Sequence, residues 1–293
     1  MAGLEVREYR DEDRDAVRRL LVETYGTAAV FDRIVVRNPL GQSLRAVVEL
    51  RKRIVGYNCW TPWVLHTRKG VLVGYQSNGS AVDREVRGKG LFGLLLAKGD
   101  ELAKNYGASF LFGFPNPASF GSFIKNGYVH IGNMPLRVLL SPSTGQIMNR
   151  RNLAETDFES FSENSNLKCF VHWRYAAANV PKYTFSNGSK TLIEVYYRQI
   201  IWRRIRIVKV LDILVNGEKR DFTLIRSLGR RLPGPAIVVF RFTLIGIPCP
   251  RLGVLLPKSW QTPIICKDIR PGCGAVESLR RQGCFVYGDI DAS

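Results

Sequence analysis

The sequence predicts an α/β protein of two domains, each built on a mixed central sheet flanked by helices. Three observations lead to this prediction. The chain has 293 residues, which is about twice the length of a typical domain. Its composition, 45% hydrophobic and 11% aromatic, is that of a globular protein with packed cores. The order of strands and helices starts over near residue 150, which predicts domains at 1–150 and 151–293.

The first half begins with a strand, a helix and three further strands. Residues 4–10 alternate as a short strand does, and residues 11–25 place apolar side chains at helical spacing before Gly26, which ends the helix. Two β-rich runs then meet near residues 51–53. A turn at 68–70 leads into the third of these strands.

A glycine-rich, basic helix start follows, in the stretch "VRGKGLFGLLLAK" at 86–98. The leucines from Leu91 onward fall on one face of a helix, and Gly107 stands where a left-handed C-terminal cap belongs. The first amides of a helix lack partners and carry partial positive charge, so they attract anions. Glycines leave these amides accessible, and cations add full charges. The residues concerned are Arg87, Gly88, Lys89 and Gly90. The stretch therefore predicts a pyrophosphate site.

A compact strand and a second helix come next. Residues 109–114 are apolar except for the first, which is typical of a buried parallel strand. Asn116 and Pro117 suit the N-cap and the first position of a helix. Gly127 ends this helix, and a strand begins at Tyr128.

The second half repeats this order with a different loop. A helix is predicted at 166–180, a hairpin at 183–197 and a strand at 204–215. A turn and helix at 216–229 and a strand at 235–245 follow. The turn, "NGEK", has one glycine and no paired cations, so we expect a degenerate copy that does not hold the anionic ligand.

The motifs of the first half resemble those of the GCN5-related acyl-CoA-dependent N-acyltransferases. The pyrophosphate signature of that family is Arg or Gln, two residues, Gly, one residue, then Gly or Ala. Arg87 and Gly90 match it, and Phe92 replaces the small last residue. A second family motif, Asn followed by a helix ending in Gly-Phe, is matched by Asn116 and by Gly127 with the following tyrosine.

The resemblance implies an acyl-CoA co-substrate, acetyl-CoA or a short hydroxyacyl-CoA, and no metal. The acyl-CoA would lie between the strands that end near Val82 and Phe114. Asn116 would contact the pantetheine or cap its helix. The family often has a tyrosine where this chain has Phe123, so another acid, or none, would protonate the departing thiolate. The implied binding residues are Val82, Arg87, Gly88, Lys89, Gly90, Leu91, Phe92, Asn116 and Phe123.

The second half resembles the tandem acyltransferases of surface-polysaccharide biosynthesis, which also build lipopolysaccharide and O-antigen. Two short motifs carry this resemblance: "WRY", which is Trp173, Arg174 and Tyr175, and "GDID" at 288–291. It implies that the acceptor is the amine of a nucleotide-linked amino sugar. The aromatic helix would bind that acceptor or fill the domain interface.

Acyl transfer to an amine needs a neutral amine and a donor for the developing oxyanion. A backbone N–H on the strand before Val82 is the expected donor. The candidate bases are His130, His172 and Asp83, and a chain of waters is the alternative to all three.

The formal net charge of +18 favours anionic partners. We expect small-molecule substrates and no nucleic acid. Two alternatives remain: an aminoacyl-tRNA-dependent ligase, and a non-catalytic module that binds nucleic acid or a membrane through the basic aromatic stretch at 196–209. The six cysteines lack metal-site spacing, no leader is evident in residues 1–20 and no apolar run is long enough to span a bilayer, so we expect a cytoplasmic protein with reduced thiols.

Overall fold

The computed structural model describes residues 3–28, 31, 38–67, 70–134, 136–141, 175, 180–187, 190–215, 236–244, 254–255, 257–282 and 284–286. The chain divides into two compact units. The first unit comprises residues 1–133 and 262–282, and the second comprises residues 134–261 and 283–291. The described residues form two seven-stranded mixed sheets flanked by helices, which confirms the predicted fold class.

The first unit contains the elements predicted for the first half and two from the end of the chain. They are β1 (Leu4–Glu8), α1 (Arg14–Tyr25), β2 (Leu44–Leu50), β3 (Arg53–Thr67), β4 (Gly70–Val82), α2 (Leu91–Asn105), β5 (Phe110–Gly113), α3 (Pro117–Lys125), β6 (Val129–Met134), β13 (Thr262–Asp268) and α4 (Ala275–Gln282). The strand order is β1-β2-β3-β4-β5-β13-β6. β4 and β5 are parallel, as the sequence predicts, and β5 and β13 are antiparallel.

Both faces of this sheet are covered, because successive strand residues point to opposite sides. Val47 packs in one core cluster with Val17 and Leu21 of α1. Its neighbour Val48 packs in the other cluster with Leu95 of α2. The two apolar helix faces therefore hold the sheet between them, which fixes where α2 begins relative to the end of β4.

The second unit repeats this pattern of strand pairing. Its strands are β7 (Leu136–Ser141), β8 (Lys182–Asn187), β9 (Lys190–Trp202), β10 (Ile205–Val215), β11 (Ala236–Leu244), β12 (Val254–Leu255) and β14 (Cys284–Val286). The order is β12-β7-β11-β10-β9-β8, and β14 pairs with β11. β8, β9 and β10 are antiparallel neighbours, and β10 is parallel to β11. The predicted hairpin and both predicted strands are present. The "NGEK" turn and its helix lie outside the described residues.

The two units exchange strands, which the predicted boundary at residue 150 does not anticipate. β13, from the second half, lies between β5 and β6 of the first sheet. β7, from the first half, pairs antiparallel with β11 of the second sheet. Local periodicity reveals that a segment is a strand but not which sheet it joins, so the contiguous division at residue 150 differs from the division of the structure.

A basic side chain on the exchanged strand ties it to both neighbouring helices. Lys267 of β13 forms an ion pair with Asp100 of α2. The same ammonium donates to the backbone carbonyl of Asn126, just past α3, at 2.6 Å. It also lies 5.6 Å from the ring centre of Tyr128. Residues 262–282 are therefore part of the fold of the first unit.

In the part of the chain that the structure describes, no helix is long and apolar enough to cross a bilayer.

Candidate active site

The loop between β4 and α2 turns through two left-handed glycines. A single 3-10 turn at Arg84–Val86 leaves β4. Gly88 and Gly90 follow, with φ angles of 77° and 78°. A β-carbon built on either glycine meets no atom within 4 Å. The backbone conformation therefore requires these glycines, and the space in front of them is open.

Six successive amides at this helix start have no acceptor among the described residues. They belong to residues 88–93, and the next amide, that of Leu94, donates to the carbonyl of Gly90 at 3.3 Å. Gly90 is the N-cap of α2 and contributes no side-chain cap. Free amides at the positive end of a helix form a site for an anion.

Two exposed cations lie at this loop, Arg87 directly before the six amides and Lys89 among them. Nε of Arg87 donates to the carbonyl of Val82 at 2.9 Å, which holds the guanidinium beside the end of β4. Asp83 anchors the loop with both carboxylate oxygens. One oxygen accepts from Arg53 at 2.7 Å, and the other accepts from the amide two residues on at 2.9 Å. Since both oxygens are engaged, the structure gives Asp83 a positioning role in the loop.

β4 bulges next to this loop and continues beyond its pairing with β5. Gly79 and Ser80 of β4 lie opposite the single residue Asn58 of β3, and Gly79 has a φ of 58°. The parallel pairing of β4 with β5 covers only residues 74–76 and 110–112. Residues 77–82 of β4 therefore have no described β5 partner, which leaves one edge of β4 open beside the helix start.

A buried polar network holds the bulge, and it is not among the features predicted from the sequence. Asn58 is fully buried. Its Nδ2 donates to Oγ of Ser77 at 3.0 Å, and its Oδ1 accepts from Oγ of Ser80 at 2.5 Å. The phenol of Tyr25, in the last turn of α1, donates to the carbonyl of Ser80. The stretch "SNGS" carried a usable signal, because a glycine inside a strand pattern indicates a bulge.

The two departures from the family pattern contact each other. The rings of Phe92 and Phe123 meet edge to face, with centroids 5.3 Å apart. Phe123 also packs on Tyr128, with centroids 5.0 Å apart, and is only 4% exposed. Phe92 on α2 thus packs against Phe123, the residue at the position where the family often has a tyrosine. Phe123 joins α2 to α3 and has no proton to donate.

Tyr128 does not replace the missing tyrosine acid. Its ring is buried. Burial raises the pKa of Tyr128 well above its ordinary value, and the nearby carboxylate of Asp100 raises it further. A buried phenol with a raised pKa is a weaker proton donor than an exposed tyrosine, and its burial keeps it from the solvent-facing side of the loop.

Asn116 caps α3, one of the two roles that the resemblance leaves open. Its Oδ1 accepts from the amide of Ser119 at 2.9 Å. His130, on β6, is exposed, and its Nε2 lies 3.0 Å from Oδ1 of Asn133. Its ring meets that of Phe120 edge to face, with centroids 5.7 Å apart. These contacts orient the imidazole of His130.

Three predicted site residues lie outside the described part of the chain: His172, Trp173 and Arg174. Tyr175 is described. Its side chain is 3% exposed and stacks on Tyr196 of β9, with ring centroids 4.8 Å apart. This stacking gives Tyr175 a place in the core of the second unit.

The buried cysteines of the first unit are not nucleophiles. Burial raises the pKa of Cys59 to about 12. Burial also raises the pKa of Cys266, with the carboxylate of Asp268 adding to the shift. Because the thiolate is the reactive form, both thiols are inert at neutral pH. No cluster of three or more metal-ligating side chains occurs among the described residues.

Comparison with solved structures identifies the fold. The chain matches a GCN5-related N-acetyltransferase from Anabaena variabilis with a TM-score of 0.66 and 11% sequence identity, over 91% of this chain and 73% of that one. The chain has the fold of the GCN5-related N-acetyltransferases.

Two further structures agree. A GCN5-related N-acetyltransferase from Kribbella flavida matches with a TM-score of 0.59 and 14% identity, over 91% of this chain and 72% of that one. Eis1 from Mycobacterium abscessus matches with a TM-score of 0.58 and 11% identity, over 91% of this chain and 73% of that one. No protein-family model and no curated protein sequence matches the chain. At these identities the likeness concerns the fold, and activity has to be argued from the site.

Proposed function

We propose that the protein is an acyl-CoA-dependent N-acyltransferase. The observation that carries the proposal is the row of six amides at residues 88–93 without an acceptor in the described chain. They lie at the start of α2, together with the exposed cations Arg87 and Lys89, and beside the stretch of β4 that has no described β5 partner. A pyrophosphate presents several acceptor oxygens and about two negative charges, which this set of donors matches.

The open edge of β4 suits the rest of the co-substrate. The pantetheine arm carries two amides and needs backbone partners along an extended path. Residues 77–82 have no described β5 partner and would supply them, apart from the carbonyls of Ser80 and Val82, which already accept hydrogen bonds. Ser77 of β4 lies just past the end of the pairing with β5 and is still close to that strand. A β-carbon on Gly113 of β5 would lie 3.6 Å from the β-carbon of Ser77. The thioester would lie near this point, and an amide in the part of β4 that has no described β5 partner would donate to its carbonyl oxygen.

The chemistry is addition of a neutral amine to the thioester carbonyl. The carbon–nitrogen bond forms, the carbon–sulfur bond breaks, and the proton of the attacking nitrogen goes to water or a base. Of the described candidates, His130 is exposed and oriented by Asn133, whereas Asp83 is engaged in the loop. We therefore propose His130 or a chain of waters as the acceptor of that proton. The CoA thiolate is a good leaving group and needs no acid from Phe123.

The proposed acceptor is the amine of a nucleotide-linked amino sugar, and the proposed acyl group is acetyl or a short hydroxyacyl. The "WRY" and "GDID" motifs support this class, as does the net charge of +18, because both substrates are polyanions. The aminoacyl-tRNA-dependent ligase is less favoured, since such a ligase has no need of the pyrophosphate-binding loop.

The experiment is a thiol-release assay with acetyl-CoA and a panel of amines. The key variant is Gly90→Glu, and its matched control is Gly107→Glu. Both glycines have left-handed φ angles, 78° and 72°, and open space around the β-carbon, so both variants carry similar backbone strain. We expect Gly90→Glu to lose at least about 100-fold in kcat/KM, because two or more charge-assisted bonds to the pyrophosphate are lost. Gly107→Glu should retain activity. Equal losses in the two variants would contradict the assignment of the loop.

The acceptor class is tested in the same assay. Nucleotide-linked amino sugars should react faster than the same amino sugars without the nucleotide. If free amino sugars or peptide amines react equally fast, the nucleotide-sugar proposal is wrong while the acyltransferase proposal stands.

A further inference from the structure

The end of the β9–β10 hairpin exposes several large apolar side chains. We call residues 200–205, "IIWRRI", the hairpin tip. Ile201 is 75% exposed and Trp202 is 55% exposed, while Ile200 and Ile205 are each 41% exposed. Successive strand residues point to opposite faces, so the tip is apolar on both faces. A cluster of exposed apolar side chains lowers solubility and does not stabilise a core, so the hairpin tip is a candidate interaction surface.

The tip extends beyond the rest of its sheet. The pairing of β8 with β9 ends at Tyr196, before the hairpin tip begins. β11 pairs with β10 only from Ile207 onward. In the described part of the second unit, the tip is therefore a ribbon of two strands with no strand on either side. A two-stranded ribbon of this kind can reach a surface that the body of the domain does not touch.

Two arginines form the turn at the end of this ribbon. Arg203 and Arg204 have φ angles of 47° and 68°, both left-handed. A two-residue turn of this type favours Asn-Gly, and arginine is strained there. The Arg203 guanidinium lies over the Trp202 ring, 5.2 Å from its centre. The most exposed apolar residues of the hairpin are thus adjacent to two full positive charges.

We propose that the hairpin tip docks on the surface of an anionic lipid bilayer. Trp202 and the isoleucines would enter the boundary between headgroups and acyl chains, where amphipathic aromatic rings accumulate. Arg203 and Arg204 would pair with lipid phosphates. The mode of attachment is peripheral, as for other short amphipathic anchors. It is independent of the acyltransferase proposal.

Charge and side-chain chemistry favour lipid over the other partners. A second copy of the tip would bring four arginines together, and like charges repel across a symmetric interface. Single-stranded nucleic acid binds through stacking on aromatic rings, whereas three of the four apolar residues here are isoleucine. Aliphatic side chains beside arginines match a bilayer surface, which offers hydrocarbon and phosphate at adjacent depths.

The test is co-sedimentation of the full chain with vesicles of phosphatidylcholine alone or with 30% phosphatidylserine. The first variant, Arg203→Asn with Arg204→Gly, removes both charges and installs the favoured turn, so its thermal stability should be unchanged or higher. The matched control is Arg51→Asn with Lys52→Gly in the β2–β3 turn. That turn has the same left-handed geometry, with φ angles of 50° and 65°, and the same charge. The second variant, Ile201→Ser with Trp202→Ser, removes the most exposed apolar groups.

We expect the wild type to bind phosphatidylserine vesicles more tightly than neutral ones. The tip-charge variant should lose about 25-fold in partition coefficient, at about fivefold per cation near an anionic surface. The control variant should stay within about twofold of the wild type. The apolar variant should lose binding to both kinds of vesicle.

Several results would overturn the proposal. One is equal binding of the wild type to both vesicle types, or none to either. Another is an equal loss in the tip-charge variant and its control, since the effect would then be one of net charge. Retained vesicle binding in both tip variants, accompanied by loss of oligonucleotide binding or of a concentration-dependent dimer, would assign the tip to nucleic acid or to a second copy.

Discussion

Removing β13 should unfold the first unit. The strand exchange places β13 between β5 and β6, so a chain of residues 1–150 lacks an interior strand of its own sheet. It also lacks α4 and the ammonium of Lys267 that pairs with Asp100. We expect residues 1–150 to be unfolded and unable to bind CoA.

The structure sets the size of this effect. Four large aliphatic residues of the C-terminal segment are buried in the first unit: Ile264, Ile265, Ile269 and Leu279, with exposures between 0% and 8%. Burying each contributes about 1.5 to 3 kcal/mol, or about 6 to 12 kcal/mol together. The whole stability of a typical domain is about 5 to 15 kcal/mol. The loss is therefore comparable to the entire free energy of unfolding.

The assay compares three chains by far-UV circular dichroism, urea unfolding and calorimetric titration with CoA. They are the full chain, residues 1–150, and residues 1–134 joined through a flexible Gly-Ser linker to 257–286. The linked chain restores β13 and α4 and should regain a cooperative unfolding transition. Cooperative unfolding of residues 1–150, with CoA binding equal to that of the full chain, would show that the first unit does not need β13.

Three further predictions concern stability. Gly99→Ala should destabilise the protein by about 2 kcal/mol in urea unfolding, because its β-carbon would overlap the fully buried indole ring of Trp60. Gly121→Ala, in open space on α3, should instead stabilise by up to about 1 kcal/mol through helix propensity; equal effects would contradict the packing of α2. A double-mutant cycle of Phe92→Leu and Phe123→Leu should give a coupling of about 0.5 to 1.5 kcal/mol, and additive losses would mean that the rings do not interact. Burial opposes ionisation of Asp13, but its bonds from an arginine and a backbone amide prevail and lower its pKa in the folded state. The stability that Asp13 contributes is present above its unfolded pKa and is lost as the pH falls through its folded pKa. Asp13→Asn should therefore lower the free energy of unfolding at pH 7 and make it depend less on pH below about 4. An unchanged dependence of stability on pH in the acid range would contradict this role.

The sequence predicts the local elements of the first half well, because each signal is carried by neighbouring residues. Asn116 and Pro117 form the N-cap and first turn of α3, and Gly26 and Gly107 have left-handed φ angles at helix ends. The helix start at Gly90 is also where the pattern places it. Each of these features depends on backbone conformations that few residue types adopt.

Features made by residues distant in sequence are not predictable in this way. No local pattern indicates that Lys267 reaches Asp100, or that β13 fills the first sheet. The contact between Phe92 and Phe123 is also non-local, because it joins α2 to α3. The bulge at Gly79 is predictable in part. A glycine within a strand pattern indicates a bulge, whereas the hydrogen bond between Ser80 and Asn58 joins residues distant in sequence and follows from no local pattern.

Calorimetric titration of the wild type, Gly90→Glu and Gly107→Glu with CoA and with pantetheine shows whether residues 88–93 bind the pyrophosphate. Pantetheine lacks the pyrophosphate and nucleotide but keeps the arm expected along β4. We expect Gly90→Glu to weaken the binding of CoA by about 100-fold or more. The binding of pantetheine should weaken by less than about threefold, because only CoA has a pyrophosphate. Gly107→Glu should change neither ligand. An equal loss for both ligands in Gly90→Glu, or no loss for CoA, would contradict the assignment of residues 88–93 as the pyrophosphate site.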